Sequence, residues 1–270
     1  MAEGVYKTTR KDGSSSYRVS IYREKKHISL GSFTDEETAA KAYREAVDFY
    51  SDPSITILNF RQKLSALSPD KAVTILNHRD HKVYIKTPIY LENGFFTYYL
   101  EGVGHLKFDN DDLFYYSSHR ILNHNGHLYV NDYGSQYGIL GRYGIKNYAV
   151  AGRDYTFANG DPHDLRYANI IVINKYHGVR QILQHDLIRH EVKIHLVGDY
   201  LIGRYETDAQ AAVAYNKAVD AAIDHGFQKN FIQNYVLEYT PKEYADIYTK
   251  IELPGAYLNY LKDIKNSPKN

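Results

Sequence analysis

The chain contains no cysteine and no tryptophan, a single methionine, and no apolar run approaching membrane-spanning length. Without cysteine, disulfide staples and thiolate zinc sites are excluded, and any metal would have to be held by His, Asp, Asn or water. No metal site and no cofactor is expected. The opening "MAEGVYKTTRKDG" lacks the apolar core of a signal peptide, so the expectation is a soluble cytoplasmic protein, nucleoid-associated in a bacterium or nuclear in a eukaryote, with no membrane partner. A surplus of charge is missing too. Lys plus Arg number 33 against 32 Asp plus Glu, a formal net charge of +1, unlike the basic balance of most nucleic-acid binders.

What is present is apolar and tyrosine-rich. Hydrophobic residues make up 43% of 270, enough to core one large domain or two to three small ones, and no low-complexity tract argues for extended disorder. The 28 tyrosines offer half-buried surface with a polar end, with genomic bias as the plain explanation. Charge is distributed unevenly. Within residues 1–34 lie Lys7, Arg10, Lys11, Arg18, Arg23, Lys25 and Lys26 against only Glu3, Asp12 and Glu24, so this segment is locally basic.

Two related segments lie near the ends of the chain. Gly31 and Gly203, Phe33 and Tyr205, Ala39 and Ala211, Tyr43 and Tyr215, and Ala46 and Ala218 are each 172 residues apart, while Asn59-Phe60 and Asn230-Phe231 are 171 apart. Each segment alternates as a strand pair with one buried face: Tyr17, Val19 and Ile21, then Ile28 and Leu30; Val192, Ile194 and Leu196, then Tyr200 and Ile202. Thr34 with Glu37, and Thr207 with Gln210, then predict capped helices carrying a small-residue stripe, with Gly226 closing the second.

A short sheet, the "LGSF" strand end, an alanine-rich helix and a closing "LNF" resemble the plant APETALA2/ethylene-response-factor DNA-binding domain. "GVYK" (4–7) and "YHGVRQ" (176–181) match that family's first strand. The resemblance implies a sheet whose outer face enters the major groove of double-stranded DNA. It places Lys7, Arg18, Ser20, Tyr22, His27 and Ser29 on that face in the first segment, with Arg10, Arg23, Lys25 and Lys26 nearby. In the second segment the face would carry Arg180, Lys193 and His195, with Asp199 and Leu201 as poor DNA partners, so that copy either adds a weak contact or meets protein. An ordinary solvated polar face is the alternative.

Between them, "YTFANGDPHDLRYANIIVI" (155–173) together with the upstream 100–154 resembles a phage-type HNH homing endonuclease, a family that often carries an APETALA2-like domain. Asn159-Gly160-Asp161, Asp164, Arg166 and Asn169 stand in that family's order. Such an enzyme needs an ion ligand and a neighbouring His that deprotonates water. By position these would be Thr156 and Phe157, the upstream His-Arg pair would fall at Gln136-Tyr137, and only Asn174 and Lys175 remain where the family has its final helix. The expectation is therefore a core without catalysis, not an enzyme, whose Asp164, Arg166 and Asn169 do structural work. An unorthodox nuclease using Asp154-Tyr155 or His163, His124 or His127 is the alternative; a protein-binding inhibitor is a third reading.

The expected fold is α+β: two small three-stranded antiparallel sheet-plus-helix domains (1–61 and 176–236) flanking a degenerate ββα-metal-like HNH domain (100–175). A linker (62–99) holds a helix after Ser68-Pro69 and then a strand by residue 86, and a helical tail (237–270) opens at Thr240-Pro241 and ends in disorder from 264. Tyr244, Ile247, Tyr248 and Ile251 share one face of that tail, for packing on the second repeat or for a homodimer. The functional expectation is a sequence-specific DNA-binding regulator in which the first sheet reads, and the second adds a contact or positions it.

Overall fold

The computed structural model describes residues 3–227 and 229–266, the last three as backbone only. The chain is mixed α and β, built from several small antiparallel sheets and helices, and it divides into two compact units. The first comprises Met1–Ile139 and Asn159–Asn169, the second Leu140–Ala158 and Ile170–Asn270, so the expected middle segment contributes to both. No helix among the described residues is long and apolar enough to cross a membrane.

In the first unit, β1 (Val5–Thr9), β2 (Ser15–Arg23) and β3 (Lys26–Phe33) form an antiparallel sheet in that order, covered by α1 (Glu36–Ser51). Val19, Ile21, Ile28 and Leu30 point inward onto Ala39, Ala42, Ala46 and Phe49, as the strand alternation and helical stripe predict. The helix starts one residue later than expected. Asp35, not Thr34, is the N-cap, because its carboxylate accepts the Thr38 amide at 2.7 Å and is anionic at the positive end of the helix. Next, α2 (Pro69–His81) opens at the predicted Ser68-Pro69. The strand expected by residue 86 is displaced to β4 (Ile89–Leu91). Buried Asn77 on α2 accounts for this: its amide donates to the Val83 carbonyl at 2.8 Å and its oxygen accepts the Leu91 amide at 2.9 Å, tying the intervening chain to the helix. β4 pairs with β5 (Phe95–Leu100), which pairs with β6 (Gly104–Asp109); α3 (Leu113–Ser118) leads to a third sheet, β7 (Ile121–His124), β8 (His127–Asp132) and β9 (Ser135–Gly138). Several tyrosines here are interior, and Tyr98, fully buried, accepts the Ile121 amide on its hydroxyl.

In the second unit, β10 (Tyr155–Phe157) pairs with β11 (Ile170–Val172). β12 (Val179–Gln184), β13 (Leu187–His195) and β14 (Asp199–Tyr205) then form a three-stranded sheet under α4 (Asp208–Asp224). Thr207 caps α4 by accepting the Gln210 amide at 3.1 Å, and Gly226, at φ +91°, ends it.

The two sheets are copies in detail. Each carries a β-bulge at the same point of its third strand, where Leu30 and Ile202 are the extra residues opposite Val19/Ser20 and Val192/Lys193 of the middle strand. Opposite each bulge, the middle-strand residue donates its amide to the carbonyl of a glycine at φ +70°, Ser20 to Gly4 and Lys193 to Gly178. An aromatic ring, Tyr43 or Tyr215, occupies the space into which a β-carbon on the glycine would project.

The repeat also runs further than its sequence signature. α5 (Pro241–Lys250) starts 172 residues after α2, with Thr240 and Glu243 closing a capping box. The partners Glu45 and Lys217, again 172 apart, fasten the following segment in opposite ways. Glu45 accepts the amides of Ser65, Ala66 and Leu67, whereas the Lys217 ammonium donates to the carbonyls of Tyr248 and Ile251 at 2.7 Å. Asn59 and Asn230 are not equivalent, despite their spacing. Asn59 closes its own turn through Ser54 and Thr56, and in the second copy it is Asn234 that bonds both the His177 amide and carbonyl. Tyr244, Ile247, Tyr248 and Ile251 pack on the α4 core of their own unit, the packing that the sequence set against a dimer contact. The last helix, α6 (Gly255–Asn266), continues through residues expected to be disordered; 267–270 lie outside the described residues.

Candidate nucleic-acid interface

Cross-strand register decides which side chains share the outer face of each sheet. In the first sheet Tyr6 stands opposite Arg18 and Arg18 opposite Ser32, followed by Ser20 opposite Ser29 and Tyr22 opposite His27. This row is open: Tyr6 and Tyr22 are 59% and 62% exposed, and Arg18, His27 and Ser29 are exposed beside them. No acidic side chain among the described residues pairs with Arg18 or His27, so both are available to an anion or an acceptor.

The register moves some expected residues off this face. Lys7 stands opposite Tyr17 and shares the helix-side parity of Val5; it is exposed at the sheet edge, and Tyr6 takes the outer position instead. The alternation starting from buried Val5 carries that information for β1, whereas Ser32 reaches the outer row only because the bulge at Leu30 shifts the parity of β3. Arg23 and Lys26 pair with each other across the β2–β3 turn, where Glu24 and Lys25 take left-handed conformations at φ +46° and +63°. The Lys26 ammonium lies 4.7 Å from the centre of the Tyr84 ring, and an Arg23 guanidinium nitrogen donates to the Tyr22 carbonyl at 3.1 Å. Glu24 is tied to Lys82 at 2.7 Å, which anchors the turn and leaves Lys25 projecting at its tip; Arg10 is exposed in the β1–β2 turn.

The second sheet is organised differently. Arg180, Glu191 and Arg204 form one row across its three strands, followed by Lys193 opposite Leu201 and His195 opposite Asp199. Glu191 Oε1 holds Lys193 at 2.9 Å, and its Oε2 accepts Arg204 Nε at 3.1 Å and Nη2 at 3.0 Å. Lys193 and, after it, Arg204 hold the Glu191 carboxyl below the usual carboxylate range. His195 is bonded to Asp199 at 2.7 Å. Strand alternation puts Glu191 on the outward face with Lys193, but its bond to Arg204 is not legible in the sequence, because only the strand register brings the two together.

The residues in HNH order close on one another. Buried Asp164 receives Arg166 through two nearly parallel bonds of 2.8 and 2.6 Å, and Asn159 Nδ2 at 3.0 Å. Asn169 accepts the Asn159 amide at 2.8 Å and donates to the Asp164 carbonyl at 2.8 Å. The loop is fastened to β6 through Lys107, whose amide bonds the His163 carbonyl and whose carbonyl accepts the Leu165 amide. These four side chains therefore hold the loop together. Thr156 and Phe157 are ladder residues of β10, paired with Ile171 and Ile170, and Gln136 is exposed on β9 opposite Asn131. Between β11 and β12 there is no helix among the described residues. Asp154 is also internally consumed, by the Val150 amide, Arg153 and Asn174, and burial raises the Tyr155 phenol. His163 is half exposed, with Nδ1 3.6 Å from Asp161, and no group of three or more metal-ligating side chains occurs among the described residues.

The Arg166 guanidinium, against the cost of burial, holds the Asp164 carboxyl below the ordinary carboxylate range. A depressed folded-state pKa stabilises the fold above the unfolded value of about 3.9, and that contribution disappears as pH falls through the folded value. Urea unfolding across acid pH should show Asp164→Asn to be less stable than the parent near neutrality, with the difference shrinking as pH falls below about 4. A difference that grows in acid would show that the pair does not hold the loop.

No protein-family model, curated protein or solved structure matches the chain.

Proposed function

We propose that this chain is a double-stranded DNA-binding protein, of the kind that serves as a sequence-specific regulator, and that it holds DNA without cutting it. The reading rests most directly on the outer face of the first sheet. Arg18 and His27, free of acidic partners, stand between exposed Tyr6 and Tyr22, with Arg10 and Lys25 projecting from the adjoining turns. Arginine on such a face can take phosphate or the O6/N7 edge of guanine, and the tyrosine and serine hydroxyls supply further polar contacts. The APETALA2-like sheet-plus-helix pattern supports the same reading, and so does the basic balance of residues 1–34.

The middle loop is proposed to be the remnant of an HNH core. Its Asp164, Arg166, Asn159 and Asn169 satisfy one another, and its base and ion-ligand positions hold Phe157 and Thr156. Gel-shift titration with the full chain tests binding, and plasmid nicking in Mg²⁺ or Mn²⁺ tests catalysis. The expected outcome is a retarded complex with intact DNA. Metal-dependent cleavage abolished by His163→Ala would establish the nuclease instead. A protein-binding reading draws on one other feature, the β12–β13 hairpin tip, where Leu183, Leu187 and Ile188 are 71%, 56% and 57% exposed.

A further inference from the structure

We infer that Glu191 is an acidic lock that keeps the second sheet off nucleic acid, so that this two-copy chain engages DNA through one copy only. The inference rests on the proposed DNA binding of the first sheet and assigns the division of labour between the copies.

The two outer faces share strand order and bulge position, and the second carries more Lys and Arg side chains, Arg180, Lys193 and Arg204 against Arg18 on the first. They differ in what those cations touch. On the first sheet Arg18 and His27 face solvent. On the second, one carboxylate uses both oxygens to hold Lys193 and Arg204, and it stands opposite Arg180 in the register. Glu191 is 11% exposed, while the cations above it are 52% and 42% exposed. Its charge therefore lies beneath the face, where salt screens it less than it screens a surface pair. A phosphate approaching Lys193 or Arg204 would have to break bonds already made, and it would meet a negative charge within a few ångströms. The corresponding row of the first sheet, Tyr6–Arg18–Ser32, has no acid. Asp199 accepts a bond from His195 at the far end of the second face, so Lys193, Arg204 and His195 are each engaged by a carboxylate; Arg180, exposed, bonds no acid among the described residues but stands directly opposite Glu191. Such an arrangement favours one site over two, since like-charge repulsion against phosphate discriminates by exclusion.

Glu191→Gln keeps size and one acceptor oxygen while removing the charge. In the full chain, titrated with a fluorescent duplex across a KCl series, this variant should bind about tenfold tighter at low salt, with a log–log salt slope steeper by about one to two as Lys193 and Arg204 become free for phosphate. Adding Lys193→Ala and Arg204→Ala should return both quantities to the parent values. In the otherwise unaltered chain, the Lys193→Ala/Arg204→Ala pair should change DNA affinity by less than about twofold, a measurement independent of how well the Gln variant folds. The inference is overturned if the Gln variant titrates like the parent, if its gain survives loss of both cations, or if removing those cations from the parent weakens binding. Failure of the first-sheet reading looks different: the parent and Arg18→Ala would be equally weak, while the gain from Glu191→Gln would still be scored against the parent.

Discussion

Arg18→Ala is expected to cause the largest loss of DNA affinity of any single substitution in the first sheet, with thermal stability nearly unchanged. The side chain is exposed, lies on the face opposite the core and bonds no acid, so its removal costs the fold little. Its loss to binding can be sorted by role. A guanidinium bonded to a base edge is worth about 1–3 kcal/mol, and its loss relaxes discrimination at one position of the site. A phosphate contact lowers affinity evenly across sequences and reduces the salt slope by about one. Titration of parent and variant on matched and mismatched duplexes separates these roles, and an unchanged affinity on every duplex would remove the first sheet from the interface. Lys26→Ala serves as the internal comparison. That ammonium sits on Tyr84 rather than on the outer face, so its effect on binding should be smaller.

Gly178→Ala, and Gly4→Ala in the first copy, are expected to be the most damaging small substitutions for the fold. Both glycines are at φ +70°, and a β-carbon would fall 2.0 Å from the Tyr215 ring in one and 2.2 Å from the Tyr43 ring in the other. The carbonyls of Lys193 and Ser20, at 2.8 and 2.7 Å, block retreat in the other direction. Left-handed backbone at a residue with a side chain costs about 1–2 kcal/mol. Overpacking against a ring that cannot move adds about 1–3 kcal/mol. Together these approach a third of a typical domain's stability of about 5–15 kcal/mol. Urea unfolding should show the midpoint fall sharply for either variant. A midpoint within error of the parent would mean that the ring yields, and that the glycine–tyrosine contact does not hold the first strand on the helix.

The parts of the fold legible in the sequence were those written in local periodicity. Alternation at Tyr17, Val19 and Ile21 gave the buried face of β2, and the alanine stripe gave the face of α1 that lies on it. Thr240-Pro241 and Ser68-Pro69 marked two helix starts to the residue. Legibility failed where distant groups decide. Asp35 displaced Thr34 as a cap because a carboxylate at that position reaches the Thr38 amide, and both residues are acceptable caps by type. Asn77 drew residues 83–91 onto α2, an arrangement that no run of local letters specifies. The continuation of the repeat into α2 and α5 is marked in the letters by Ser68-Pro69 and Thr240-Pro241, 172 apart, whereas the shared role of Glu45 and Lys217, opposite in charge, is visible only through the groups they hold.

The candidate site divides along the same line. That Arg18, Ser20, Tyr22, His27 and Ser29 share a face follows from period two once one inward residue is fixed. Lys7 lies off this face because it shares the inward parity of Val5 along β1, which the "GVYK" resemblance does not convey. The electrostatic difference between the copies was legible only in part, through Asp199 on the second face. Glu191 and Arg204 are 13 residues apart, and only the β13–β14 ladder makes them neighbours. In the middle segment, that Thr156 and Phe157 offer neither a strong ion ligand nor a base was plain from the letters, whereas the mutual satisfaction of Asn159, Asp164, Arg166 and Asn169 required the loop geometry.

Equilibrium titration of the full chain with duplex DNA over a range of KCl, in Mg²⁺ and with the duplex recovered afterwards, tests the central claim most directly. The account predicts binding whose logarithm falls linearly with the logarithm of salt, with the recovered duplex uncut. Absence of binding at low salt, affinity indifferent to salt, or a cleaved duplex would contradict it.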